Sequence, residues 1–584
     1  MKTGADTVFF NANVLTMDSG LPRAEAMVIN KGIITYVGTA KEALTYAGPR
    51  THVVDCRKKT IIPGFNDNHV HTLGMGNFYL RPNLYGKSGN EIVTILKKAY
   101  AGIKPGRVIM AQAWDYPFCP HPDKEMLDKA FPRNPVLLFQ YSGHAVWVNS
   151  LMLKRMRIHR KSENPAGGVI LRRANGEPTG IIRGSVLSTQ HRNRIIQRVL
   201  SPSLHHRLLD IALEKFRACG ITSVQDNTWQ PLTVWLLRRY RRQGKLTCRF
   251  SCWPFGQVPL LAHSMRLAFY DRYWIRRGPW KYIVDGAFSP HSAWLTEAYA
   301  GEPDNRGEAT LGPDRLLQVV TQAALQRRQI ALHAIGDRAV HEVINAVEKT
   351  RSRCPWVTSL RLRLEHAQFI QPADIPRLTK LGILVAAQPT ALSQPEKDFK
   401  LLGDERFKYI YAYKSLLDAG VHLSFGSDIP GETEYRPLEA IQRAVTRSGD
   451  SAAPMPERSG QDAGGMNGAS DTAAGGPGVI PVGGRAGRTP SARRHGGGDP
   501  AETAVFPAGY NTEEKISVEQ ALYCYTMGSA YAEFTEGIKG SLVPGKLADL
   551  VVLADDPTRV DPQKISGITV CMTVVGGTVV YNNV

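Results

Sequence analysis

The sequence has no long hydrophobic segment. A membrane-spanning helix requires roughly 18 to 20 consecutive apolar residues, whereas the first apolar run of this chain, residues 8–10, stops at Asn11. We therefore expect neither a membrane span nor an export signal. Cysteine is also sparse, and the eight cysteines form no CxxC pair. A chain of 584 residues is too large to need disulfides for its stability, so we predict a reducing, cytoplasmic location.

Acidic residues are in the minority, and the formal net charge is +20. Basic residues concentrate in short clusters, of which residues 154–161 and 238–242 are the clearest. A solvated helix end accounts for such a cluster, and no recognisable nucleic-acid-binding module accompanies it. We therefore expect no nucleic-acid partner. Contact of these clusters with nucleic acid or with an anionic membrane is the alternative interpretation.

One segment lacks the residues that build a core. Between Asp450 and Val505 there is no Leu, Phe, Tyr or Trp, and Gly, Ala, Ser, Pro and Arg dominate. Such a segment cannot bury enough apolar surface to fold. We therefore predict a disordered Gly-rich insertion over about residues 449–506. The rest of the chain has the composition of a globular protein, and its length implies at least two domains.

Short β-rich runs separated by turn residues occur at both ends of the chain. They are found at residues 7–10, 26–29, 33–37 and 53–55, and again at 549–553, 568–575 and 578–581. Short runs rich in β-branched and aromatic residues, bounded by Gly-containing turns, are typical of strands. We predict that residues 1–62 and 538–584 build one composite β-domain.

The central part of the chain, residues 63–537, repeats a short apolar run followed by a helical pattern. This repetition is the signature of parallel βα units. The strand candidates are residues 61–71, 221–226, 247–253, 281–285, 330–333, 361–366, 383–388 and 422–428. Eight such units predict an α/β fold, specifically a (β/α)8 TIM barrel. The long interval after the first candidate predicts an inserted subdomain at about residues 74–219.

His69 and His71 lie two positions apart at the end of the first strand candidate. Side chains two positions apart on a strand project to the same face, so both imidazoles can hold one metal ion. Taken alone, the pair is equally consistent with surface or core histidines. Its place at the carboxyl end of a barrel strand favours the metal, because barrel active sites are assembled there.

Three further candidates, His333, His366 and Asp428, end later strand candidates in the same way. A single histidine after an apolar strand is more often a hydrogen-bonded packing residue. The coincidence of four histidines and one aspartate at strand ends is difficult to explain by packing alone. Imidazole and carboxylate are ligands of Zn²⁺, with Fe²⁺, Mn²⁺ and Co²⁺ as alternatives. We therefore predict a divalent metal centre, with Zn²⁺ as the expected ion.

Several segments resemble motifs of the amidohydrolase superfamily, in the amidohydrolase family 3 branch that contains N-substituted formamide deformylases. They are residues 63–71, 333–340, 365–368 and 426–430 of the barrel, 540–551 at the return into the β-domain, and 144–149 in the insert. The resemblance covers nearly the whole chain except the Gly-rich insertion. It implies a barrel with a small composite β-sandwich from both termini, and one or two divalent metal ions.

The resemblance also assigns metal ligands. They are His69, His71 and Asp428 for the first ion, and His333 and His366 for the second. Many members of the superfamily bridge two ions with a lysine that is carboxylated on its side-chain nitrogen, and Lys281 occupies the matching position. A structural lysine is the alternative, and Asp285 is then the alternative carboxylate ligand.

This ligand set predicts hydrolysis by a metal-activated water, with Asp428 as the catalytic residue that moves a proton from the water to the departing nitrogen. The resemblance implies a small-molecule substrate with a non-peptide C–N bond, in an amide, an N-formyl compound or a cyclic amide. Deamination of a heterocyclic amine is one alternative. A catalytically inactive metal-binding or basic interaction protein is another.

Substrate contacts are expected from loops and from the inserted subdomain. Trp114, His144 and His291 are the candidates, because each is a polar or aromatic residue in a segment that can line the pocket. For each of them, placement in the core or on the surface is the alternative interpretation. The sequence leaves open whether the chain forms a homo-oligomer.

Overall fold

The computed structural model describes residues 4–116, 118–141, 145–164, 168–184, 202–228, 231–265, 270–393, 395–432, 434–448 and 509–583. The predicted Gly-rich insertion and His144 lie outside these residues. Within the described part of the chain, no helix combines the length and the apolar character needed to cross a membrane. All eight cysteines are buried free thiols.

The strands are numbered in chain order. They are β1 (Thr7–Phe10), β2 (Asn13–Leu15), β3 (Arg23–Ala24), β4 (Ala26–Asn30), β5 (Ile33–Gly38), β6 (His52–Asp55), β7 (Thr60–Pro63), β8 (Phe65–Val70), β9 (Ile109–Trp114), β10 (Val136–Gln140), β11 (Ala145–Val148), β12 (Gly168–Arg172), β13 (Pro178–Gly184), β14 (Ile221–Asp226), β15 (Arg249–Cys252), β16 (Ile275–Arg277), β17 (Trp280–Ile283), β18 (Ile330–Ala334), β19 (Arg363–His366), β20 (Leu384–Ala387), β21 (Leu423–Phe425), β22 (Leu550–Leu553), β23 (Val570–Val575) and β24 (Thr578–Asn582).

The helices are numbered in the same way. They are α1 (Ala40–Leu44), α2 (Thr72–Leu80), α3 (Gly89–Ala99), α4 (Lys124–Ala130), α5 (Ser150–Met156), α6 (Pro202–Ala218), α7 (Pro231–Arg242), α8 (Pro259–Ser264), α9 (Pro313–Leu325), α10 (Asp337–Arg351), α11 (Ile375–Leu381), α12 (Pro395–Leu402), α13 (Asp404–Phe407), α14 (Tyr413–Asp418), α15 (Pro437–Thr446), α16 (Val518–Tyr523) and α17 (Ser529–Ala532).

Parallel strands that alternate with helices make this an α/β fold. One parallel sheet has the order β16-β15-β14-β8, and the other has the order β17-β18-β19-β20-β21. An isolated parallel bridge pairs Phe255, after β15, with Lys281 in β17. At the opposite edge of the second sheet, the amide of Asp428 donates to the carbonyl of His69 at 2.7 Å. The second sheet therefore contacts the first at both of its edge strands.

The eight strand candidates all fall on strands of these sheets, but the first candidate, 61–71, is two strands. β7 pairs with β2 and β22 in a different sheet, whereas β8 pairs with β14. The break lies at Gly64, whose amide donates to the carbonyl of Asp549 at 3.0 Å. A side chain at Gly64 would collide with Thr222, so glycine is required where the chain passes between the sheets. β16 is absent from the sequence prediction.

Helices cover the parallel strands through one apolar face, as α10 illustrates. Asp337 opens this helix and Lys349 and Arg351 lie in its last turn, in accord with the helix dipole. Its buried apolar residues recur three or four positions apart, and they are Ala339, Val340, Val343, Ile344, Ala346 and Val347. This spacing places a continuous stripe against the core that the strands share.

Strands from the two ends of the chain meet in one six-stranded sheet of order β24-β23-β22-β7-β2-β3. A four-stranded sheet of order β5-β4-β1-β6 is formed by the first 55 residues. One apolar cluster joins the two ends, since Phe9, Val14 and Ile61 pack with Leu550 and Val574. In the segment after β8, a further sheet of order β12-β13-β11-β10-β9 carries its own apolar clusters.

Candidate metal centre

His69, His71 and Asp428 converge at the carboxyl ends of β8 and β21. One potential ligand atom from each lies within 4.8 Å of the other two. The Nε2 atom of His69 is 3.4 Å from Asp428 Oδ1, and the Nε2 atom of His71 is 3.2 Å from the same oxygen. Within the described residues, this is the group of histidine, cysteine and acidic side chains whose geometry suits a metal ion.

The backbone at these strand ends is held by a carboxylate that the sequence prediction missed. Asp67 Oδ1 accepts hydrogen bonds from the amides of His69 at 3.1 Å and Ser427 at 2.9 Å. Burial raises the pKa of Asp67 to about 7. Asp67 therefore links the segment that carries His69, at the end of β8, to the segment that carries Asp428, after β21. This link fixes the distance between His69 and Asp428.

Glu365 orients His69, and the sequence prediction gave it no role. Its Oε2 atom lies 2.5 Å from His69 Nδ1, and its Oε1 atom accepts from Arg363 Nε at 2.8 Å. All three side chains are buried. Burial holds the pKa of His69 far below its usual range, so the imidazole is neutral. With its proton on Nδ1 facing Glu365, His69 presents the lone pair of Nε2 towards Asp428, which is the form that binds a metal.

Lys281 lies beside the same histidine. Its Nζ atom is 3.2 Å from His69 Nε2, and only 4% of the residue is exposed. Burial lowers the pKa of Lys281 to about 8, although Glu365 and Asp428 oppose that shift. The lysine therefore exists partly in its uncharged form near neutral pH.

His333 and His366 form an adjacent pair. Their ring centroids are 4.4 Å apart, and the His366 ring is 5.0 Å from that of His69. Gln388 Oε1 lies 2.8 Å from His366 Nδ1, and the Gly286 carbonyl lies 2.9 Å from His333 Nε2. Burial holds the pKa of His366 well below its usual range. The pair adjoins the three-residue group, although its ligand atoms lie outside the 4.8 Å limit that defines that group.

The donor set fits a divalent cation. Asp428 Oδ1 is buried, and the Nε2 atoms of His69 and His71 both lie within 3.4 Å of it. Burial acts to raise the pKa of Asp428, but its contact with His71 and the charge of Lys281 hold it at about 2, so the carboxylate is ionised. The oxygen of this anion thus faces the lone pair of a neutral imidazole. A cation relieves that opposition, and two nitrogens with one oxygen are ligands that Zn²⁺ accepts.

Comparison with known proteins bears on this site. Residues 52–463 and 466–581 match the sequence profile of the amidohydrolase family. The chain belongs to the amidohydrolase family. Protein LONG AFTER FAR-RED 3 of Arabidopsis thaliana is 28% identical over 611 residues, which cover 99% of this chain and 92% of that relative. N-substituted formamide deformylase of Arthrobacter pascens is 26% identical over 600 residues, which cover 99% of this chain and 98% of the relative.

Solved structures resemble this amidohydrolase in fold. An uncharacterized metal-dependent hydrolase from Pyrococcus horikoshii has a TM-score of 0.73 at 22% identity, with 95% of this chain and 99% of that chain covered. A second one, from Pyrococcus furiosus, has a TM-score of 0.70 at 23% identity, with 95% and 100% covered. The α/β fold is therefore shared along almost the whole length of these chains.

Asp285, the alternative metal ligand, joins two loops of this amidohydrolase. Its carboxylate accepts hydrogen bonds from the amides of Trp294, Ile335 and Gly336 at 3.0, 3.0 and 2.9 Å. Burial raises the pKa of Asp285 to about 7. The side chain thereby ties the loop after β17 to the loop after β18, and this bonding occupies both carboxylate oxygens.

The three candidate substrate contacts have different positions. Trp114 is completely buried in the core of the inserted segment, where its indole N–H donates to the Leu138 carbonyl at 3.1 Å. This position agrees with core packing, the alternative interpretation of Trp114. His291 is partly exposed in the loop after β17, with Nδ1 2.5 Å from Glu302 Oε1 and its ring stacked on Tyr299. His144 lies outside the described residues.

Proposed function

We propose that this amidohydrolase is a metal-dependent hydrolase that cleaves a non-peptide C–N bond of a small organic molecule, in an amide, an N-formyl compound or a cyclic amide. The observation that carries the proposal is the convergence of His69, His71 and Asp428 at strand ends. The relative from Arthrobacter pascens, named for its action on N-substituted formamides, supports this substrate class.

We infer that the two parallel sheets close into a single (β/α)8 barrel. The parallel bridge between Phe255 and Lys281 at one edge, and the hydrogen bond from Asp428 to His69 at the other, support closure. In this arrangement the candidate ligands lie at the carboxyl ends of the strands, where barrel enzymes build their active sites. Residues 1–62 and 538–584 then form the composite β-sandwich beside the barrel.

Our proposal for the metal is a binuclear Zn²⁺ centre. His69, His71 and Asp428 would hold one ion, and His333 and His366 would hold another. Lys281, buried beside His69 Nε2, would add a carboxylate ligand in its carboxylated form. Metal counting on the purified chain tests this proposal: two ions per chain are expected, and a single tightly held ion with an unmodified Lys281 in the mass spectrum contradicts it.

The chemistry divides between the metal and the side chains. When bound, the metal lowers the pKa of a water molecule and polarises the carbonyl oxygen of the substrate. Asp428, ionised and buried at the site, accepts a proton from the attacking water at its carboxylate and delivers it to the departing nitrogen. Glu365 holds the proton on His69 Nδ1 throughout, so that His69 stays in one tautomer.

A screen of amides, N-formyl compounds and heterocyclic amines with the metal-loaded protein tests the proposed function. We expect release of an amine together with a carboxylic acid. Release of ammonia from a heterocycle identifies a deaminase instead. A site that binds one metal ion through the three converging residues favours this alternative. Turnover of none of the compounds, in protein shown to carry metal, supports the inactive interaction protein. Removal of the metal with a chelator and its restoration provide the control.

A further inference from the structure

Four arginines surround a cavity of about 310 Å³ at the amino-terminal ends of β17 and β18. They are Arg276, Arg277, Arg327 and Arg328. Pro279 and Trp280 at the start of β17, and Gln329 just before β18, complete this wall. None of the candidate metal ligands lines the cavity, and Lys281, which follows Trp280, projects to the opposite face of β17. This arginine cavity is therefore separate from the candidate metal centre.

The acidic side chain that lines the arginine cavity is bound elsewhere. Glu533 is the acidic residue among those that line the cavity. Its Oε1 atom is already 2.6 Å from Lys539 Nζ and accepts from Asn66 Nδ2 at 3.0 Å. Glu533 therefore balances Lys539 rather than the guanidiniums. Guanidiniums around one small volume attract an anion into it.

Three of the guanidiniums lie over aromatic rings. Arg328 lies over the ring of Trp280 at 3.7 Å, Arg327 lies over Trp356 at 4.5 Å, and Arg277 lies over Tyr270 at 5.5 Å. A guanidinium stacked on a ring keeps its N–H groups directed outward along its edge. This planar fork matches the oxygens of a phosphate group. The cavity thus presents several donors of the kind that bind phosphate.

A larger cavity of about 530 Å³ adjoins the arginine cavity and shares Trp280, Gln326 and Arg328 with it. The residues that line it include no aspartate or glutamate. Its apolar wall includes Leu311, Val319 and Ile330. A ligand that reaches across Arg328 would therefore place its anionic groups among the arginines and an apolar portion against this wall.

We propose that the two adjoining cavities bind a small organic molecule that carries a diphosphate group. The diphosphate occupies the arginine cavity, and the apolar portion of the molecule lies beside Trp280 in the larger cavity. Both volumes are of the size that small ligands occupy. A recessed site of this size suits a compact ligand better than a nucleic-acid duplex or a membrane surface, which bind to extended basic faces. The site is independent of the proposed hydrolase function.

Titration calorimetry on the full chain, at physiological salt, tests the proposal with three probes. Adenosine diphosphate represents an organic diphosphate, inorganic pyrophosphate represents the diphosphate alone, and adenosine represents the organic portion alone. We expect adenosine diphosphate to bind at least tenfold more tightly than pyrophosphate, and adenosine to give no measurable binding. Equal binding of the two diphosphates removes the role of the larger cavity, and absence of binding by both overturns the proposal.

Variants locate the binding. The double variant Arg277→Gln with Arg327→Gln should weaken binding of adenosine diphosphate at least tenfold. The matched control, Arg239→Gln with Arg241→Gln in α7, removes the same charge from arginines that also lie over aromatic rings, outside the cavity. An equal loss in the control indicates general charge attraction and overturns the assignment. Thermal unfolding of both variants verifies that they fold.

Two further measurements exclude other anion sites. Because a metal ion also attracts phosphate, the titrations are repeated after chelation of the metal, and the affinity should not change. Binding that disappears with the metal overturns the proposal. Competition with duplex DNA and with anionic vesicles completes the test. We do not expect pyrophosphate to displace bound DNA or bound vesicles. If DNA or vesicles bind and diphosphate does not, the arginines belong to an extended surface instead.

Discussion

Replacing Glu365 with Gln removes the charge behind His69 and preserves the shape of the side chain. The glutamine still offers an acceptor to His69 Nδ1, which lies 2.5 Å from Glu365 Oε2. Loss of a carboxylate behind a ligating histidine weakens metal binding by about 10- to 100-fold, which corresponds to about 1.4 to 2.7 kcal/mol. We expect this loss in a chelator competition titration, together with a fall in turnover at limiting metal.

The same substitution also acts on stability. Arg363, fully buried, loses its charged partner at 2.8 Å, and breaking a buried ion pair from one side costs about 3 to 5 kcal/mol. Arg363 retains its hydrogen bonds to Gln225 and to the carbonyl of Asn68, so we expect the lower end of that range in denaturant unfolding. Glu348→Gln, in a half-exposed pair with Arg377, serves as the control. Unchanged metal affinity in a folded Glu365→Gln protein would refute the orienting role.

Three further substitutions test other parts of the structure. Asp428→Asn should retain the fold and much of the metal but lose about 10²- to 10⁴-fold in turnover, measured under saturating substrate; a rate close to wild type excludes the proton-transfer role. Burial lowers the pKa of Lys281 from 10.5 to about 8, so between these values this residue binds more protons in the unfolded chain than in the folded chain, and its contribution to the stability of the metal-free protein should rise with pH. Buried thiols such as Cys219 and Cys248, whose pKa values burial raises, oppose this trend, so the test compares the urea midpoints of wild type and Lys281→Met, and their difference should change in favour of wild type across this interval. Arg249→Met leaves Asp549 buried without the partner that contacts it at 2.6 Å, and should lower the free energy of unfolding by about 3 to 5 kcal/mol in denaturant titrations; a loss below 1 kcal/mol contradicts the importance of that pair.

The convergence of the candidate ligands was accessible to sequence reasoning because each follows a local pattern. His69 and His71 share a strand face, and Asp428 ends an apolar run, so position along the chain predicts position in space. Glu365 is different, because it directly precedes His366 on β19. Adjacent residues of a strand point to opposite faces, so the pattern predicts that Glu365 points away from the site. The positive φ of His366, 73°, turns the backbone at this point. A local pattern does not reveal that turn, and it does not reveal the contact of Glu365 with His69.

The division of the first strand candidate was inaccessible for a related reason. Residues 61–71 are a single strand candidate in the sequence, and only the partners of β7 and β8 distinguish two sheets. Gly64 marked the break, but glycine in a strand also fits a bulge. The role of Asp285 similarly depends on amides that its own sequence neighbourhood does not contain. Long-range partners, rather than composition, decided each of these points.

The six-stranded sheet has a consequence for how the chain is made. β7 lies between β2 and β22, and about 490 residues separate Pro63 from Leu550. At a synthesis rate of about 5 to 20 residues per second, one edge of β7 stays unpaired for roughly 25 to 100 s. An exposed strand edge invites pairing with other chains, so nascent chains are expected to need a chaperone during this interval. Chains released before β22 is synthesised should accumulate as aggregates rather than as shortened, folded proteins.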